Sequence, residues 1–160
     1  MKDLKPLLAI LVLAAATAIT RSQITTKRSP DPMTNPKSSV THIPSAKMEA
    51  AFAKGMPLFE NSEFKIHAGR RDAPGIAEVH ARDTDIFHVL EGSATFVIGG
   101  TTVEPKTVGP DEIRAKEIQG GESRRLTKGD VIIIPKGVPH WFKEVDGPLL
   151  YYVVKVTSPR

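Results

Sequence analysis

Cysteine is absent from the 160 residues. That excludes disulfides and thiolate metal sites and leaves nitrogen and oxygen as the donors for any metal ion. A long hydrophobic run is absent too: the most apolar stretch, Leu7 to Ala18, has about 12 residues, too few to cross a bilayer core of roughly 30 Å as a helix. Basic residues are not gathered on one element, so nothing points to a nucleic-acid face. No serine stands in a nucleophile-elbow setting, which argues against covalent acyl transfer. Neither Glu91-Gly92 nor Gly99-Gly100 opens a helix, so these glycines belong to turns rather than to phosphate loops.

What is present is ordinary globular composition, 40% hydrophobic and 25% charged, enough for one core. Lys2 and Lys5 ahead of the apolar run, with Ala16-Thr-Ala18 behind it, predict a secretory signal peptide over residues 1–18. The mature protein is then secreted or periplasmic, with no stable membrane insertion after cleavage. The alternative is an uncleaved anchor, since Arg21 and Lys27-Arg28 can serve as stop-transfer flanks. Residues 19–44, rich in Ser, Thr and Pro, are predicted to be a disordered tether, and residues 45–160 one folded domain.

Within that domain, Met48, Ala51 and Phe52 recur at helical spacing, so Ser45 is expected to cap a short helix that Gly55 ends. Short strands divided by turn residues follow, the pattern of an all-β sandwich or barrel. They are Leu58 to Glu60, Phe64 to Ala68, Ile76 to His80, Asp85 to Leu90, Ala94 to Ile98, Thr101 to Val103, Glu112 to Ile118, Val131 to Ile134, His140 to Glu144 and Leu149 to Val156. The Val131 run is apolar on both faces and so is predicted to be central; the last strand is predicted to be buried as well. Arg124-Arg125, near Lys128, is predicted to lie on a solvated loop.

Strand parity places the groups able to do chemistry. Glu78 and His80 share one face of their strand, and a turn over Ala81 to Thr84 can return Asp85 beside His80. His140 begins its own strand after the stiff bend Pro135-Lys-Gly-Val-Pro139. If the two strands pack together, two imidazoles and two carboxylates converge on a point suited to a divalent metal ion. Two alternatives stay open. Glu78 can instead face solvent or pair with Arg82 or Arg70, leaving His80, Asp85 and His140 as ligands, or the pocket can be polar and metal-free. By the same parity Trp141 faces away from the site, Phe142 and Tyr152 are placed to line a cavity, and His88 points opposite to Asp85. His67 suits pocket and surface equally, and His42 falls in the tether.

These two stretches resemble the paired motifs of the cupin superfamily. Gly129, Pro135, Gly137 and His140 fit the second motif, G-x5-P-x-G-x2-H-x3-N, with Glu144 at the Asn position. His80 and Gly92 fit the first motif, Asp85 stands at its Glu, and Glu78 stands where its first His is expected. The resemblance implies a cupin-type jelly-roll β-barrel with one short N-terminal helix, often a homodimer, with the motif residues gathered in one mouth. It implies His80, Asp85, His140 and Glu78 around a divalent metal, Fe, Mn or Zn rather than copper because two carboxylates make a hard ligand set. On that basis the expected function is a metal-dependent isomerase, lyase or dioxygenase acting on a small polar molecule, a sugar derivative or a hydroxy or keto acid, with Glu78 also the candidate proton carrier. The alternative is a non-catalytic module that binds a small ligand.

Overall fold

The computed structural model describes residues 40–160. The predicted leader and all of the tether before residue 40 lie outside the described residues. Helix α1 spans Ser45–Lys54 and ends, as expected, on Gly55 at φ 68°. Its start differs from expectation. Pro44 occupies the cap position, no side chain caps the helix, and Ser45 is already helical, because a proline before the first turn fixes the extended φ that a cap needs. Among the described residues, no helix is long and apolar enough to cross a membrane.

Eleven strands follow: β1 (Met56–Glu60), β2 (Phe64–Arg71), β3 (Ala77–His80), β4 (Asp83–Ile98), β5 (Thr101–Val103), β6 (Lys106–Gly109), β7 (Glu112–Ala115), β8 (Glu117–Gln119), β9 (Glu122–Thr127), β10 (Val131–Ile134) and β11 (His140–Thr157). Among the described residues the fold is an all-β, curled jelly-roll sheet with one short helix. All the strand pairs are antiparallel. Two long strands organise the sheet. β11 pairs with β2, β3 and β4, and β4 pairs with β9, β10 and β11. The core between them holds Phe87, Val89, Phe96, Leu126, Ile134, Phe142, Leu149, Tyr151 and Val153.

Several boundaries differ from those expected. The stretches Asp85 to Leu90 and Ala94 to Ile98 are one strand that bends at Gly92 rather than two joined by a turn. Gly92 has φ 77°, and a Cβ there would come within 2.5 Å of the Pro148 carbonyl oxygen, so only glycine lets the two long strands approach at the bend. The expected strand Glu112 to Ile118 is divided between β7, in the large sheet, and β8, which pairs with β5. Arg124 and Arg125 lie in β9, opposite Phe96 and Thr95 of β4, not on a loop.

The Val131 run is not central. β10 pairs with β4 alone, and Val131 and Ile133 are 59% and 60% exposed while Ile134 is buried. An apolar run on both faces is the pattern of a doubly covered strand and equally of an edge strand whose outer face is bare. Tyr152, expected in the cavity, packs outward on α1, edge-on to Phe52 at 5.1 Å. Tyr151 takes the inward place. The cause lies in β11, where register shifts occur between Phe142 and Glu144 and on both sides of Leu150. Such bulges reset the alternation of side chains, so parity counted from His140 fails beyond them.

Candidate metal and ligand site

Each site residue is placed by a backbone pairing. Glu78 of β3 lies opposite His140 of β11 on one side and opposite Arg114 of β7 on the other. His80 follows two positions along the same face, and β4 returns Asp85 beside it. Lys155, in the second half of β11, is the direct cross-strand neighbour of Asp85. Trp141 turns to the opposite face, as expected, where it packs against Ala77, Val97, Ala115 and Ile118 and donates to the Gly75 carbonyl at 2.7 Å.

The side chains converge at one wall of a cavity of about 610 Å³ lined by Glu78, His80, His140, Arg71, Arg114 and Lys155, among others. Glu78 Oε2 is 3.3 Å from His80 Nε2 and 4.0 Å from His140 Nε2. The two rings are 5.2 Å apart between centroids. Donor atoms of Glu78, His80 and His140 all lie within 4.8 Å of one another, a cluster able to hold a metal ion. Donors on a tetrahedral ion with bonds of about 2.1 Å stand roughly 3.4 Å apart, so a small inward adjustment of these groups fits one.

His140 is prepared for such a role. Its Nδ1 donates to the Val138 carbonyl at 3.1 Å, which leaves the lone pair on Nε2, and that atom is buried with no hydrogen-bond partner. Burial holds the pKa of the ring below its ordinary range, outweighing the opposing pull of the Val138 carbonyl and of Asp85 and Glu78. The imidazole is therefore a neutral lone-pair donor. Glu78 is the opposite case. Burial acts to raise its pKa, but the His80 ring and the Arg114, His140 and Arg71 groups around it bring it down to about 2. Arg114 donates to its Oε1, and an Arg71 nitrogen stands 3.5 Å from the same oxygen. At neutral pH Glu78 is an anion that offers lone pairs rather than a proton. The arginines anticipated for it are engaged elsewhere: Arg70 with Asp72, and Arg82 with Asp111 and the Ser158 carbonyl.

Asp85 stands beside both rings, its Oδ2 at 3.4 Å from His80 Nε2 and 3.6 Å from His140 Nε2. It is not part of the three-donor cluster. The same Oδ2 accepts from Lys155 Nζ at 2.5 Å, while Oδ1 has no partner. Lys155 also reaches His80 Nε2 at 2.9 Å. An ammonium has no lone pair and can only donate, so His80 Nε2 is the acceptor in that contact. His67 lines the same cavity and pairs with Glu60 at 2.6 Å. His88 is exposed.

Lys155, Arg71 and Arg114 are the site residues that the motif residues do not reveal. Lys155 carried one signal, being the sole charge within the apolar run Leu149 to Val156, and a lone charge in a buried strand demands a partner. Arg114 carried none, since its contact with Glu78 comes only from the pairing of β3 with β7.

The family model described as "Cupin" matches residues 74–160, a span that contains both motif stretches and every member of the cluster. The chain belongs to the cupin family. Among solved structures it is similar to a protein from Bacillus halodurans, at 15% identity and a TM-score of 0.54, covering 79% of this chain and 86% of that one. It is similar also to the cupin domain of Cnp3 from Schizosaccharomyces pombe, at 16% identity and a TM-score of 0.47, over 65% of this chain and 60% of that one. A third is the DMSP lyase DddQ from Ruegeria pomeroyi, at 20% identity and a TM-score of 0.46, over 65% of this chain and 46% of that one. No curated protein sequence matches the chain. At these identities the likeness concerns the cupin fold, and the chemistry rests on the cluster itself.

Proposed function

We propose that this cupin is a metal-dependent enzyme acting on a small polar molecule, a sugar derivative or a hydroxy or keto acid, by isomerase, lyase or dioxygenase chemistry. The observation that carries this reading is the buried, unpartnered Nε2 of His140 facing Glu78 and His80 at the cavity wall. A buried lone pair without a donor is costly unless a ligand or an ion meets it. Glu78, His80 and His140 would hold a divalent ion, and a set of two imidazoles and a carboxylate favours Fe(II), Mn(II) or Zn(II) over copper. Bound there, the ion supplies Lewis acidity to a substrate oxygen. Arg71, whose guanidinium also lies 4.7 Å from the centre of the Phe142 ring, has a buried Nε without a partner and can orient a substrate oxygen. Arg114 holds the Glu78 carboxylate in place.

The test is metal stoichiometry of the wild type beside His140→Ala and Glu78→Gln, after incubation with Fe(II), Mn(II), Zn(II) and Ni(II). Wild-type content near one ion per chain, with a sharp drop in His140→Ala, is expected. Negligible metal in all three would remove the enzyme proposed here. If Glu78 moves a proton instead of binding the ion, Glu78→Gln keeps its metal and loses turnover.

The second reading, a cupin module that binds a small ligand without turnover, is favoured by the charge balance of the cavity wall. Arg114 and Arg71 already face Glu78, and Lys155, which also lines the cavity, is paired with the buried Asp85. Ligand binding retained in metal-free protein supports it. We also propose export, with residues 1–18 as the leader, which intact-mass measurement of the exported protein tests, and a homodimer. The bare apolar side chains of Val131 and Ile133 on the one-sided strand β10 support the dimer. Sedimentation of Ile133→Lys beside the wild type tests it; a monomeric wild type at micromolar concentration would remove it.

A further inference from the structure

We infer that Lys155 is a tethered competitor of the metal ion: its ammonium holds His80 and Asp85 in the conformation described, and a divalent ion takes His80 only when Lys155 withdraws. This rests on the metal reading above and adds a control on occupancy to it. An imidazole nitrogen has one lone pair in the plane of its ring. Lys155 Nζ is 2.9 Å from His80 Nε2 and 2.5 Å from Asp85 Oδ2, so the lone pair that would bind the ion already accepts from the lysine. His140 Nε2 and Glu78 Oε2 are left to face the cavity. The geometry also separates the two carboxylates that the motifs bring near each other. Glu78 lines the cavity, whereas Asp85, 1% exposed, does not and has Lys155 as its charged partner. The four-carbon stem of a lysine allows the ammonium to leave. Lys155 itself lines the cavity, into which the ammonium would withdraw; the carboxylates of Asp83 and Glu60 there are already paired with Lys65 and His67.

The competition has a charge-independent signature. Removing Lys155 alone would tighten metal binding both by freeing His80 and by deleting a positive charge, and it would leave Asp85 buried without a counter-ion. The pair of substitutions Lys155→Met and Asp85→Asn removes the ammonium and the carboxylate together. The net charge of the centre is then unchanged, and the three donors stay intact. Chelator-stripped protein is titrated with Zn(II) alone and with Mn(II) alone by calorimetry, with elemental analysis of the product and circular dichroism as a check of fold. The double variant is expected to bind at least roughly tenfold more tightly than the wild type, within the ordinary range of coupling between two ligands that exclude each other. Adding His140→Ala to it should return binding to background.

A double variant that binds no more tightly than a wild type that does bind overturns the role of Lys155 and leaves the metal reading standing. Tight binding that survives the added His140→Ala places the ion elsewhere and overturns the inference. Absence of binding in every protein overturns both.

Discussion

The backbone N–H of Gly137 donates to the carbonyl of His80 at 2.8 Å, so the turn leading into His140 is tied to the strand end that carries His80. The two rings are therefore positioned relative to each other by main chain, before any ligand is present. The turn closes with Gly137 at φ 78°, a left-handed conformation that costs a side-chain-bearing residue about 1–2 kcal/mol. No atom lies within 4 Å of the place a Cβ would take, so strain alone decides the outcome. Gly137→Ala is expected to lower stability by about that amount in urea denaturation, and Gly137→Asn by less, because Asn tolerates the left-handed region. Equal losses would mean that the turn is held by something other than backbone conformation.

Acid should weaken the fold through Glu78. Its carboxyl is lowered from 4.5 to about 2 in the folded protein. A depressed carboxyl contributes stability that is fully present above its unfolded pKa and is lost as pH falls through the folded one. The wild type is expected to exceed Glu78→Gln in stability at neutral pH, and the gap should shrink between about pH 4.5 and about pH 2. Urea midpoints of both proteins across that window provide the check, and a gap that does not change with pH would contradict the stabilisation of the Glu78 anion by His80, Arg114, His140 and Arg71.

Lys155 and Asp85 have side chains 13% and 1% exposed. Removing one member of such a pair leaves a buried charge unpaired, at a cost of roughly 3–5 kcal/mol, whereas removing both is far milder. Asp85→Asn and Lys155→Met should each destabilise strongly, and the double variant should lose less than the sum of the two. Additive losses in a double-mutant cycle would show that the two residues act independently.

Gly69 on β2 leaves the room that the inward Tyr151 ring fills. A Cβ at Gly69 would come within 2.3 Å of the Tyr151 ring, so Gly69→Ala overpacks the core and should cost about 1–3 kcal/mol. Tyr151→Leu is expected to relieve much of that loss when combined with Gly69→Ala. Thermal melts of the single and combined variants measure it.

The fold was legible because the motif glycines and prolines mark the bends, and because short apolar alternations mark the strands between them. Glu78 and His80 share a face by parity within one short strand, where the period of two has no chance to slip, and His140 joins them because β11 pairs with β3 at its first residue. Parity failed across the bulges of β11, which is why Tyr152 was expected where Tyr151 lies and why Lys155 was not anticipated beside Asp85. The exposure of Val131 and Ile133 was hidden for a different reason. Composition tells how apolar a strand is, but not whether a neighbour covers its second side. The pairing of Arg114 with Glu78 depends on which strands adjoin in the sheet, and no local pattern encodes it.

The bulges of β11 work as a phase shifter on a strand of 18 residues. Ahead of them the even-numbered residues His140 and Phe142 face inward; beyond them the odd-numbered Leu149, Tyr151 and Val153 do, with Lys155 next in the same series. The ring that would bind an ion and the ammonium that opposes it thus ride on one strand but in opposite phase. Deleting a single residue between Glu144 and Pro148 would leave His140 where it is and rotate Lys155 out of the cavity, with Val154 or Val156 brought in. Length in that short segment, more than the identity of any residue in it, sets whether the two cations meet.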